Sequence, residues 1–219
     1  DSGQTMGRSI GPAAPAAGPV RKYYETFETA LRENSGHIRD FGYHSLINSW
    51  PEVFPAQTIQ QAGRHLAEAQ AAVRGQAEFE RRVEVVRVGY EYTQTMIELL
   101  GLYRTLGRAG VPLWFFSREG DEAQAAFFKL PGGKLPASQA EYWKDKPTQP
   151  RPRAELIKLL ERAKFLGDER ERILNQYAEL PALSRGLYQM TVDEGIRPWH
   201  QTVKAELEKL TKSTEEEKK

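Results

Sequence analysis

Three glutamates, Glu84, Glu91 and Glu98, recur at heptad spacing in a stretch that reads FERRVEVVRVGYEYTQTMIELLGLYR. Carboxylates stacked on one helix face are a geometry that can hold metal ions or share a proton. The usual companions are missing, because di-metal bundles add a Glu-x-x-His repeat and no histidine lies in this stretch. Arg87 stands between Glu84 and Glu91 at the spacing of intrahelical ion pairs, each worth about 0.2–0.5 kcal/mol. The array therefore reads as a solvated charged edge rather than a catalytic one.

The remaining reactive side chains are dispersed. His37, His44, His65 and His200 show no His-x-x-x-His or His-Glu-x-x-His spacing, so no zinc site is indicated. His37 and His44 share an aromatic segment with Asp40, a ligand set in outline that ordinary loop packing explains more simply. The chain has no cysteine, which removes disulfides, thiolate metal sites and cysteine nucleophiles and leaves the redox compartment open. A Pro-Gly-Gly turn at 131–133 lacks the Gly-Lys-Ser/Thr ending of a phosphate loop. No catalytic residue, cofactor or metal is assigned on these grounds.

Composition narrows the partners. Lys plus Arg number 31 against 30 for Asp plus Glu, a formal charge of +1. No global field draws in nucleic acid or an anionic membrane, and no apolar run approaches the roughly 20 residues that span a bilayer. A 39% apolar content with 10% aromatics is enough for a core in 219 residues.

The elements that must position these groups are helical. Residues 1–19 carry three prolines and read as a linker or arm, and a first helix follows from Val20 with Tyr23, Tyr24, Phe27 and Leu31 at helical spacing. An irregular stretch with Phe41, Tyr43, Leu46, Ile47, Trp50 and Phe54 must pack down to hide its apolar area. A second helix aligns Ile59, Ala62, Leu66, Ala69 and Val73 and stops at Gly75, its alanines pointing to a close neighbour.

The third helix, expected from about Gln76 to Leu106, is greasy on two sides. At about 100° per residue, Phe79, Val83, Val86, Tyr90, Ile97 and Leu100 share one stripe, and Val85, Val88, Tyr92, Met96, Leu99 and Tyr103 share another roughly 140° away. Such a helix is either wrapped on both sides by its own chain or keeps part of one stripe for a partner outside it. Residues 108–152 form a long connection rich in aromatics, among them Trp114, Tyr142 and Trp143, with a short helical piece at 120–130. Helical periodicity returns at Arg153, with Asp168 read as an N-cap of a following segment and Pro181 as a break; Pro198 opens a last helix aligning Trp199, Val203, Leu207 and Leu210. The tail 213–219 reads as disordered. The fold class is all-α, an irregular multi-helix bundle around a long central helix, with the helical domain at 20–212.

Two segments carry a family resemblance. GPAAPAAGPVRKYYETFETAL, through Gly11, Pro12, Ala13, Ala14, Lys22, Tyr23, Tyr24 and Glu28, and RRVEVVRVGYEYTQTMIEL, through Arg81, Arg82, Val83, Gly89 and Tyr92, resemble a bacterial family of uncharacterised glycoside-hydrolase-like proteins. The similarity is to its C-terminal helical region, beside a barrel related to those of alpha-glucuronidases and beta-hexosaminidases. This sequence departs from that pattern by an inserted PAAG before the tyrosines, and no barrel is present to carry catalytic carboxylates.

The resemblance implies a fragment: a noncatalytic accessory domain that packs against the catalytic barrel of its parent protein or against a second subunit. A periplasmic or secreted location would follow, with Trp114, Tyr142 and Trp143 as candidate glycan contacts through stacking on sugar faces. The alternative is a self-contained helical protein-interaction or scaffold module. An accessory domain would expose apolar surface when isolated; a scaffold would be closed with one groove; a small enzyme would hold perturbed carboxylates or histidines in a pocket.

Overall fold

The two-striped stretch is one helix. A computed structural model of the chain describes residues 15–37, 49–113, 150–176 and 196–216. These residues form α1 (Ala17–Glu33), a 3-10 turn (Ser35–His37), α2 (Trp50–Val53), α3 (Ala56–Ala72), α4 (Ala77–Arg108), α5 (Arg153–Gln176) and α6 (Ile196–Glu216). No strand occurs among the described residues. The protein is an all-α multi-helix bundle, as the periodicity predicts.

Helix α4 has 32 residues, about 48 Å at ~1.5 Å per residue. Its first half packs mainly the first stripe and its second half mainly the second, although Val88 of the second stripe is buried in the first half and Leu100 of the first in the second half. In its first half Phe79, Val83, Val86 and Tyr90 pack on Ala62, Leu66, Ala69 and Val73 of the α3 region and on Tyr23 of α1. In its second half Met96, Leu99, Leu100, Tyr103 and Leu106 pack on Leu160, Ala163 and Leu166 of α5 and on Trp199 and Val203 of α6. Within the second stripe Val85 is 38% exposed, whereas Val88 and Met96 are each 1% exposed. Two cores thus share one backbone.

The first core is tight because small residues admit large ones. Ala62 and Ala69 are fully buried, and a Cβ added to Gly63 would lie 2.6 Å from the Tyr90 hydroxyl oxygen. That hydroxyl donates to the Ile59 carbonyl at 3.1 Å, so a polar tip is satisfied inside an apolar contact.

Helix α2 ties the cores together. Trp50 packs against the second core, while Phe54, just after α2, meets Trp50 at 6.3 Å and Phe27 of α1 at 5.5 Å, both edge-on. Glu52 forms an ion pair with the buried Arg104 of α4, and the Asn34 amide donates to the Val53 carbonyl at 3.1 Å.

Three boundaries differ from the sequence reading. Helix α1 starts at Ala17, inside the expected arm: Pro19 fits its first turn, where backbone N–H groups lack intrahelical acceptors in any case. Helix α5 runs through Gly167 and Asp168 without a break, so Asp168 is not an N-cap. Helix α6 extends to Glu216, past the expected start of a disordered tail. The break at Pro181, the helical piece at 120–130, and the aromatic connection beyond Leu113 lie outside the described residues.

The stripe exchange predicts unequal costs for two residues of the same stripe. Met96→Ala should lower unfolding stability by about 2–5 kcal/mol, whereas Val85→Ala should stay within about 0.5 kcal/mol. Urea titration of both variants checks this, and equal losses would mean that both halves bury the same face.

Candidate functional site

The densest polar arrangement among the described residues lies where α5 and α6 cross. Lys164, Gly167, Asp168, Arg170 and Glu171 come from α5, and Arg197, His200 and Lys204 from α6. Asp168 gathers three donors. Its Oδ1 meets His200 Nε2 at 2.9 Å and Lys204 Nζ at 2.8 Å, and its Oδ2 meets Lys164 Nζ at 2.8 Å. Burial alone would raise the Asp168 pKa, but the hydrogen bonds from Lys164, Lys204 and His200 outweigh it and hold the carboxyl well below the usual range.

His200 is 6% exposed. A carboxylate only accepts, so Nε2 carries the proton of the neutral imidazole and Nδ1 is bare. That nitrogen lies over Gly167, where an added Cβ would sit 2.1 Å away, and it has no hydrogen-bond partner among the described residues. Burial pushes the His200 pKa below the ordinary histidine range, with Lys204 adding to the effect and Asp168 opposing it.

An imidazole oriented by an aspartate is the base of a nucleophilic triad. Here the nitrogen that would take a proton is capped by the Gly167 backbone, leaving no room for a hydroxyl or a substrate. The dyad acts instead as a wedge that locks α6 onto α5.

Arg170 is buried to 1% exposure and donates through Nη1 to Glu171 at 2.7 Å, with Arg197 Nε at 3.6 Å from the same carboxylate oxygen. Its charge reaches Tyr103, whose hydroxyl is pushed above the ordinary phenol range mainly by burial. The Tyr103 ring meets Trp199 edge-on at 5.9 Å. The cluster is therefore continuous with the second core.

The glutamate edge of α4 is held by arginines. Arg87 pairs with Glu84 at 2.7 Å and also with Glu91, and Glu98 pairs with Arg162 of α5 at 2.7 Å. Among the described residues no group of His, Asp and Glu is placed to hold a metal ion. Trp114, Tyr142, Trp143, Asp40 and His44 lie outside the described residues, while His37 ends the 3-10 turn, exposed.

A groove of 610 Å3 runs between α1 and α3, lined by hydroxyls and amides such as Thr26, Asn34 and Gln61 together with the ionisable Lys22, Glu25, Glu33 and His65. Sequence reasoning singled out neither the groove nor the wedge. A glycine inside the α5 helical pattern was the available signal for the wedge, since it costs about 1 kcal/mol against alanine unless something needs the space. A Gly-x-Ser-x-Gly spacing at Gly7-Arg8-Ser9-Ile10-Gly11 also escaped that reading; it lies outside the described residues. The nucleophile elbow needs a helix directly after the serine, and Pro12 and Pro15 disfavour one.

No family model, no curated protein and no solved structure matches this chain. Function has to be argued from the residues themselves.

Two outcomes test the wedge. Gly167→Ala, which raises helix propensity by about 0.8–1.0 kcal/mol at an ordinary site, should destabilise the protein, and the same substitution in a His200→Ala background should stabilise it. Urea midpoints decide, and a more stable Gly167→Ala single variant would refute the contact. The pH dependence has a defined sign. His200 binds its proton less readily folded than unfolded, so its stabilisation is complete above the unfolded value of about 6.5 and declines as pH falls through that value toward the lower folded pKa. Asp168 contributes above about pH 4 and is lost only below it. The stability decline between pH 7 and 5 should be smaller in His200→Gln, while the loss below pH 4 remains.

Proposed function

We propose that this chain is a noncatalytic helical interaction domain, which holds other macromolecules in fixed register instead of turning over a substrate. The observation that carries the reading is the shared helix α4, a rod with one packed core on each half. A rod supported at both ends keeps surfaces on α1 and α6 at a set separation, and that is what a scaffold contributes. The sealed His200–Asp168 dyad supports the noncatalytic part of the proposal.

The exposed large apolar side chains among the described residues are Tyr24, Leu31, Val85 and Phe165, on three different helices. That spread favours a self-closed module over a domain torn from a broad apolar interface. The resemblance to helical domains beside glycoside-hydrolase-like barrels makes such a barrel a proposed partner. Carbohydrate is the proposed ligand in that setting, met by Trp114, Tyr142 and Trp143.

The noncatalytic reading is tested with aryl glycosides of several sugars. The purified chain should release no chromophore above the buffer blank, and sustained turnover that disappears in a His200→Gln variant would overturn the proposal. The glycan contact is tested separately by titrating oligosaccharides into the chain and into Trp114→Ala, Tyr142→Ala and Trp143→Ala. Binding weakened about tenfold or more in folded variants supports those contacts; unchanged binding removes them.

A further inference from the structure

Helix α1 carries an apolar ridge that the other described residues leave open. Ala17, Tyr24 and Leu31 follow one another at seven-residue steps and all are exposed, Tyr24 to 52% and Leu31 to 42%. They adjoin Val20 and Phe27, which are partly buried against the first core, so the ridge extends that core to the surface. On its other flank, about 40–60° further round the helix at ~100° per residue, stand Arg21 and Glu28, both exposed.

Several exposed charges elsewhere are spent on intrahelical partners, as in Arg82 with Glu78 and Arg172 with Glu169, whereas the exposed charges of α1 are in no salt bridge among the described residues, and of these Arg21 and Glu28 flank the ridge. Neither Arg21 nor Glu28 takes part in a salt bridge or side-chain hydrogen bond among the described residues, although Glu25 lies within one turn of Arg21. Opposite charges held free along an apolar ridge are available to a partner.

Their spacing selects that partner. Arg21 lies three residues before Tyr24 and Glu28 four after it, and Ala17 and Leu31 lie seven before and seven after. The ridge is therefore nearly self-complementary about Tyr24.

We infer that α1 is a homodimer interface in which two copies of this chain pack their α1 helices antiparallel about a two-fold axis at Tyr24. In that arrangement Leu31 of each copy meets the small Ala17 of the other, and Arg21 of each copy meets Glu28 of the other, twice over, as an isologous contact requires. A parallel two-fold pairing would instead set the Arg21–Glu28 flank of each helix against the Val20–Phe27 flank of the other, leaving both charges without an opposite partner, and is disfavoured. One helix pair about 25 Å long, at ~1.5 Å per residue, covers less area than standard interfaces, so the dimer is of the weak, reversible class. The inference rests on the interaction-domain reading and names a second copy as the partner.

The absence of cysteine makes the axis directly testable. Sedimentation of the full chain across a concentration series should show reversible monomer–dimer exchange. Arg21→Glu and Glu28→Arg should each weaken association about tenfold or more, and the double variant should recover most of the loss, because the swapped charges pair again. Tyr24→Cys should oxidise to a disulfide-linked dimer, the two positions facing each other across the axis, while Glu33→Cys on the far side of α1 should remain monomeric. Circular dichroism of every variant confirms folding. A chain monomeric at all concentrations, a double variant no better than the singles, or equal cross-linking at positions 24 and 33 would each overturn the inference. Glycoside turnover is read in a separate assay, so failure of the noncatalytic reading and failure of the dimer are distinguishable.

Discussion

The structure depends on one helix serving two cores. Helix α4 packs mainly its first stripe against α1 and α3 and, further along, mainly its second stripe, with Leu100 of the first, against α5 and α6. Helix formation has a costly nucleus and cheap extension, so a single long helix organises both ends more readily than two short ones. The aromatic contacts among Tyr90, Tyr23, Phe27, Phe54 and Trp50, each with its neighbour 5.2–6.4 Å away, then join the cores a second time outside α4. A bend at the middle of α4 would have to break that path as well.

Polar groups complete the second core by restricting how it closes. Apolar contacts between α5 and α6 tolerate sliding, because many registers bury similar area. The His200 ring over Gly167 and the Asp168 carboxylate bound to Lys204 and His200 across the crossing are compatible with far fewer. A buried charged group left without its partner is strongly destabilising. The polar seam therefore contributes register more than net stability, and register is what an interaction domain must keep.

Much of the helix content was legible because period dominates it. The stripe Ile59, Ala62, Leu66, Ala69 and Val73 is buried throughout, and Gly75, with φ at 81°, follows α3 as the stop signal requires. The extent of α4 and the partnering of Glu84, Arg87 and Glu91 also follow from spacing alone. What the pattern does not contain is which stretch of each stripe is used, since Val85 and Met96 look alike until α3 and α5 are placed. The Asp168 cap was misread for a related reason: glycine followed by aspartate is a helix-start signal locally, and only His200, thirty-two residues away, explains a glycine inside a helix.

Continuity of α4 through the exchange of stripes is the point on which the fold and its proposed role both stand. Spin labels on Arg81→Cys and Gln94→Cys, both exposed positions on either side of the exchange, report it by dipolar distance measurement. An unbroken helix puts the two Cα atoms about 20 Å apart, at ~1.5 Å per residue, and gives a single narrow distribution consistent with that separation. A broad distribution, or one centred several ångströms shorter, would mean that the helix breaks between the cores and that the two halves are not held in register.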